Sequence, residues 1–210
     1  MQQSWRIVDV TPIAEANKYT FYKPSAEAIS LIKPGTEVKL VFEFDRDDPK
    51  MPNAERMWVE VLAIDGEHFT GSLDNEPAFI KDLKYGTIIE FQAKHIINTD
   101  LDFEEKDNLV DRYIHRCIVS DLVLKREAKV GYLSREDPPG PWKGDILNSG
   151  WCIMAGTESD EYANDPDHFH FVSLGVVLNW DDSILPYLDA PVGSAFERDE
   201  ATGAFVPVEE

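Results

Sequence analysis

Residues 37–44 read Glu-Val-Lys-Leu-Val-Phe-Glu-Phe, polar and apolar side chains alternating with a period of two. In an extended chain that period sends the apolar set to one face and the polar set to the other, so the segment is predicted as a half-buried strand. The loop that follows, residues 45–55, is acidic and interrupted by two prolines. Residues 57–64 then resume strand character, Asp65-Gly66 is a pair that a tight hairpin turn favours, and residues 68–73 return. Strand-like segments at 4–10 and 87–93 flank this hairpin. Between them lie a polar stretch from Pro12 to Pro24, a helix begun by Pro24-Ser25 and stopped by Lys33-Pro34-Gly35, and a short helix predicted over 76–83.

The second half differs. Residues 100–116 are highly charged, which predicts a surface helix or helical linker. Residues 117–124 and 129–136 open a new patterned region, a Pro/Gly-rich loop covers 137–145, and 149–156 is a strand by its flanks and length. Residues 160–168 read as a polar loop, Ser173 and Ser183 as caps of short helical turns, and 194–208 as a hairpin turning at Thr202-Gly203. The predicted fold is α+β. A small curled antiparallel sheet with short helices occupies residues 1–105, a helical linker 106–115, and a second mixed sheet with peripheral helices 116–210.

Charge narrows the function. The chain carries 40 Asp and Glu against 20 Lys and Arg, a net charge of −20, and after Lys143 its only basic residue is Arg198. Such a surface repels nucleic acid and attracts basic partners. A hydrophobic fraction of 43% supports a folded core rather than an acidic tail. Cys117 and Cys152 each sit in an apolar run, which predicts two buried thiols in a reducing compartment. Neither a leader-like segment nor a membrane-length apolar run is visible, so cytoplasmic residence without membrane contact is expected.

Two segments carry a family resemblance. Trp58, Gly66, Gly71, Leu73, Asn75, Pro77, Leu83, Lys84 and Gly86 occupy the pattern of a small uncharacterised bacterial domain, which residues 55–91 resemble. Gly131, Tyr132, Arg135, Glu136, Ser149, Gly150, Trp151, Gly156, Glu161, Tyr162, Leu188, Pro191, Gly193, Ala195 and Phe196 carry the second likeness. There the chain resembles an immunity-protein family of bacterial polymorphic toxin systems, long classed as a domain of unknown function. That resemblance implies a partner, a cognate toxin, and no cofactor.

His168 and His170, preceded by Asp165 and Asp167, have metal-like spacing. A zinc site needs further ligands and no third His lies near in sequence, so a solvated loop is expected and no metal. Arg135-Glu136 with Glu158, Asp160 and Glu161 would serve as an acid–base group only if one carboxyl were desolvated, of which so polar a stretch gives no sign. Gly-x-Ser-x-Gly, phosphate-loop and Cys-x-x-Cys patterns are all missing, so neither a catalytic residue nor a cofactor is expected. Trp58 and Trp151 read as core anchors, and Trp142, in the Pro/Gly loop, as a contact residue. The expected protein is a non-catalytic binder that neutralises a basic cognate toxin by occluding its active or substrate-binding surface. Asp160, Glu161, Asp165 and Asp167 are its predicted partner-binding residues, with Trp142 as a hot spot. The alternative is an enzyme or small-ligand regulator with a ligand cleft between the two halves. Nothing in the patterns specifies an oligomeric state.

Overall fold

The alternation at 37–44 is realised in space: Val38, Leu40 and Phe42 are fully buried, while Glu37, Lys39 and Val41 lie half-buried on the opposite face. The computed structural model describes residues 3–46, 48–138 and 147–208. The chain divides into two units, Met1–Asn17 with Phe21–Asn108, and Lys18–Thr20 with Leu109–Glu210. No helix among the described residues is long and apolar enough to cross a membrane.

Unit 1 contains β1 (Trp5–Ile7), α1 (Thr11–Ala16), α2 (Ala26–Ser30), β2 (Glu37–Phe44), β3 (Ala54–Asp65), β4 (His68–Leu73), β5 (Ile88–Gln92) and β6 (Ile96–Thr99). Every pairing is antiparallel, in the order β1-β2-β3-β4-β5, with β6 also on β2. The chain steps from β5 at the far edge to β6 beside β2 through one turn, Ala93–His95. A sheet permits so short a step only by curling. Its core is the alternating set of β2 with Met57, Val59 and Val61 of β3, Phe69 and Leu73 of β4, and Ile89 and Phe91 of β5. The hairpin turns at Gly66, whose φ of 60° suits glycine. Ser25 caps α2 as predicted, its Oγ accepting from the Ala28 N–H at 3.1 Å.

Three expectations for this unit are corrected. The polar stretch after Pro12 contains α1, with Pro12 in its first turn and the Asp9 carboxylate accepting from the Thr11 N–H at 3.0 Å. Residues 76–83 are not helical. The Glu55 carboxylate accepts from the N–H groups of Ala78, Phe79 and Ile80 at 2.7, 2.7 and 3.1 Å, holding them outside any helical ladder. Trp58 is not a core anchor, because it shares the face opposite Met57 and Val59 and lies half-buried under Lys39, whose Nζ is 4.3 Å from the ring centroid. Glu55→Ala is expected to destabilise unit 1 by about 2 kcal/mol, since three N–H groups lose a charged acceptor at once. Urea unfolding of the variant checks the figure.

Unit 2 contains α3 (Leu109–Arg112), β7 (Arg116–Ser120), α4 (Asp121–Leu124), β8 (Tyr132–Arg135), β9 (Asn148–Met154), α5 (Asp160–Ala163), β10 (Phe169–Ser173), α6 (Leu174–Leu178), β11 (Ala195–Arg198) and β12 (Phe205–Pro207). Strand order is β10-β7-β9-β8-β11-β12, and β7 and β9 are parallel, so the sheet is mixed. One face packs Cys117, Val119, Leu133, Trp151 and Ile153 against Val123 of α4, Leu174 and Val177 of α6 and Ile184. Trp151 is 1% exposed and its indole N–H donates to Leu188 O at 3.3 Å, as a core anchor should. The stretch 160–168, predicted as loop, holds α5 and the 3₁₀ turn Pro166–His168. The cap of the turn Asp182–Tyr187 is Asp181 rather than Ser183. Asp181 is 6% exposed, accepts from Ser183 and from the Val130 N–H, and pairs with Arg198 at 2.8 Å.

Lys18–Thr20 complete this unit from far upstream. Tyr19 is 4% exposed within the core cluster and meets Tyr113 edge to face, ring centroids 5.6 Å apart. Asn179 brackets the segment, accepting from the Tyr19 N–H at 3.1 Å and donating to Thr20 Oγ1 at 2.6 Å. Asp182 accepts from Tyr19 Oη and pairs with Lys18 Nζ at 2.9 Å. Gly175 makes room: a Cβ there would stand 2.2 Å from Tyr19 O.

Candidate functional site

The alternation of β7 sends Cys117 and Val119 into the core and leaves Ile118 exposed on the other face. Ser120, on the side of Ile118, should be exposed as well, yet it is fully buried. Its cover is the segment leaving β9. Glu158 turns back so that its Oε1 accepts from the Ala155 N–H at 2.7 Å. Ser159 caps α5, accepting from the Tyr162 N–H at 3.2 Å, and Asp165 caps the next turn, accepting from the Asp167 N–H at 3.0 Å. The Tyr162 ring stacks on His168 with centroids 3.9 Å apart and stands edge-on to Phe169, the strand partner of Ser120.

This arrangement gathers polar groups under the loop. Among the described residues, three buried side-chain oxygens make no hydrogen bond of regular geometry, namely Ser120 Oγ, Glu158 Oε2 and Tyr162 Oη, although Ser120 lies close enough to the Glu158 carboxyl to act on it. Burial would raise the Glu158 pKa, but the Ser120 hydroxyl and the Ala155 and Gly156 N–H groups outweigh it and hold the carboxyl below its usual range. Glu158 is therefore a carboxylate at neutral pH. Burial, with the charge of Asp121, pushes the Tyr162 phenol up, so it remains a donor. Asp121 Oδ2 accepts from Lys125 at 2.7 Å and Oδ1 lies 2.7 Å from His170 Nε2; Lys125 first and then His170 keep its pKa low. His170 follows Phe169 on β10 and so faces away from the side on which Ser120 lies. Ser120, Asp121 and His170 thus form no nucleophile relay, which needs the serine oxygen on the imidazole. His168 and His170 have separate partners, Tyr162 and Asp121. Among the described residues no group of three or more His, Cys, Asp and Glu is placed to hold a metal ion.

The predicted contact acids fall in this segment. Asp160 and Glu161 occupy the first turn of α5, Asp165 caps the following 3₁₀ turn and Asp167 lies within it, and all four are exposed. Trp142 lies outside the described residues. The motif residues are scaffold. Arg135 donates from Nε to Ser149 O at 3.1 Å and from Nη1 to Ala190 O, and lies over the Trp151 ring at 5.6 Å. Ser149 Oγ donates to Arg116 O at 2.8 Å. Gly150 has a φ of 81°, and a Cβ there would stand 2.2 Å from Glu136 O. A Cβ on Gly131, which precedes Tyr132, would stand 2.0 Å from Ala155 O. Sequence reasoning missed Ser120, Asp121 and the joining of Glu158 with Tyr162, because strand alternation shows which side Ser120 takes but not what covers it.

The two cysteines are free, on neighbouring strands but opposite faces. Cys117 is buried as predicted, and burial pushes its thiol far up. Cys152 is only partly buried, a correction to the expectation of two buried thiols; burial and the nearby Glu136 and Glu158 raise its pKa to about 11. Native alkylation is expected to label Cys152 slowly, faster as pH rises toward 11 and thiolate forms, and to leave Cys117 untouched. Intact mass against time at two pH values checks this.

Residues 117–209 match the family model of the immunity protein Imm33 domain, and residues 13–130, more than half of the chain, match that of an uncharacterized protein conserved in bacteria (DUF2314). The two matches overlap across β7 and α4. No curated protein and no solved structure matches the chain significantly.

Proposed function

This chain belongs to the family of uncharacterized proteins conserved in bacteria and carries an immunity protein domain along its second unit, and from that premise we propose that it neutralises a cognate toxin by covering the toxin's active or substrate-binding surface. The observation that carries the reading is the segment 158–167. Two capped turns present Asp160, Glu161, Asp165 and Asp167 to solvent beside a carboxylate, Glu158, that remains charged. Exposed carboxylates fixed on capped backbone make a field that draws in a basic surface, and a toxin acting on nucleic acid carries such a surface. The protein works in this reading by occupancy, with no chemical step of its own.

The test is co-expression with the product of the gene adjacent to its own in the source genome. Cells that produce the neighbour alone should stop growing, and cells that also produce this chain should grow. Growth arrest unaffected by the chain would sink the proposal.

A further inference from the structure

Among the described residues, the face of the second sheet opposite its core, beyond the covered Ser120, is a larger feature than the acidic loop at its border. Phe171, Ile118, Cys152, Ser134 and Ala195 stand in register across β10, β7, β9, β8 and β11, forming one row on the side opposite the core. A second row brings Met154, Tyr132, Glu197 and Val206 together. Ile118 is 42% exposed although Cys117 and Val119 on either side of it are buried, and Val206 is 47% exposed beside the buried Phe205. A strand face that exposes Ile118 and Val206 beside the half-buried Met154 and Tyr132 is unusual for a surface this charged.

Charge decides what would cover it. Glu136 and Glu158 lie close enough to Cys152 for their charges to act on its thiol, and Glu197 stands in the second row. The cation described on this face, Arg116, is engaged, its guanidinium donating to Phe171 O at 3.2 Å and lying over the Phe171 ring. A second copy would bring an equally acidic border against this one, in a chain of net charge −20. We propose that this sheet face, centred on Ile118 and Cys152 and bordered by Glu136, Glu158 and the acidic loop, docks a protein that offers an apolar centre ringed by Lys and Arg. The proposal rests on the toxin-neutralising reading and names the surface that performs it. In this division of labour the apolar row supplies affinity by excluding water, and the acidic border supplies speed and choice of partner.

The probe is an inactivated variant of the neighbouring gene product, added to the full chain. Cys152 acts as a built-in reporter and Cys117 as its buried control. In the complex, alkylation of Cys152 should slow about tenfold or more, and Ile118→Glu should weaken binding about thirtyfold or more, the scale of a lost interface hot spot. Ile118 is solvent-exposed, and unchanged circular dichroism would show that the variant folds; if it does not, the wild-type footprint decides alone. A complex that forms with Cys152 alkylated at its free-chain rate and with Ile118→Glu binding at full strength would overturn the surface and leave toxin neutralisation standing. A neighbour that neither binds nor is restrained would remove both.

Discussion

Tyr19→Ala is expected to destabilise unit 2 by about 4 kcal/mol, a shift of about a thousandfold in its folding equilibrium, because a buried aromatic is deleted from a close-packed core. The residue lies outside the contiguous stretch that forms the rest of that unit, yet it fills the space beside Tyr113 and Gly175. Tyr19→Phe should cost only about 1 kcal/mol, the worth of the hydrogen bond from Oη to Asp182. Gly175→Ala attacks the same joint from the other side, since its Cβ would stand 2.2 Å from Tyr19 O. Amide exchange at β7 and β9 is the readout. Faster exchange there in Tyr19→Ala, with β2 and β3 of unit 1 unchanged, is the expected pattern, and wild-type protection at β7 and β9 would refute the account.

Reversing Asp160, Glu161, Asp165 and Asp167 together to Lys should lower the rate of association with a basic toxin about a hundredfold at low salt and abolish protection of cells. Added salt should slow the wild-type protein toward the variant, because attraction between exposed charges is screened over about 8 Å at physiological ionic strength. The choice of control matters. Glu55 is an obvious acid to reverse in unit 1, but it holds the backbone of residues 78–80, so its loss would confuse folding with binding. Asp45, Glu67, Glu76 and Glu104 are exposed and better controls, and reversing them should leave protection intact. Protection lost with the control set and kept with the first would move the contact to unit 1. Stopped-flow association at two salt concentrations, paired with survival, distinguishes these outcomes.

Features written in neighbouring residues were legible in the sequence, and features that depend on distant ones were not. The period of two at 37–44, the turns at Asp65-Gly66 and Thr202-Gly203, and the cap at Ser25 each need only a few adjacent side chains. Helix α1 escaped because it buries no residue, so no hydrophobic period marks it. Residues 76–83 misled because Phe79, Ile80 and Leu83 are spaced as on a helix, while the group that decides their backbone is Glu55 on β3. The exposed acids of the candidate site could be read from composition, but the burial of Ser120 required Glu158 and Tyr162, about forty positions later, to fold over it. Trp58 and Trp151 show the same limit from one residue type: both lie on strands, and only the face each takes separates a core anchor from a surface ring beneath a lysine.

The placement of Lys18–Thr20 in unit 2 also has a consequence for synthesis and for ancestry. A ribosome releases Tyr19 long before Leu109, so the earliest-made piece of unit 2 must wait, unpacked, while nearly all of unit 1 is made and free to fold. The last unit completed therefore depends on a tripeptide from the first stretch made. A gene cut once, between residues 108 and 109, would yield a downstream product lacking the side chain that fills its core. Recombination at that point cannot pass the second unit to a new host intact, and the two have reason to be inherited as one reading frame.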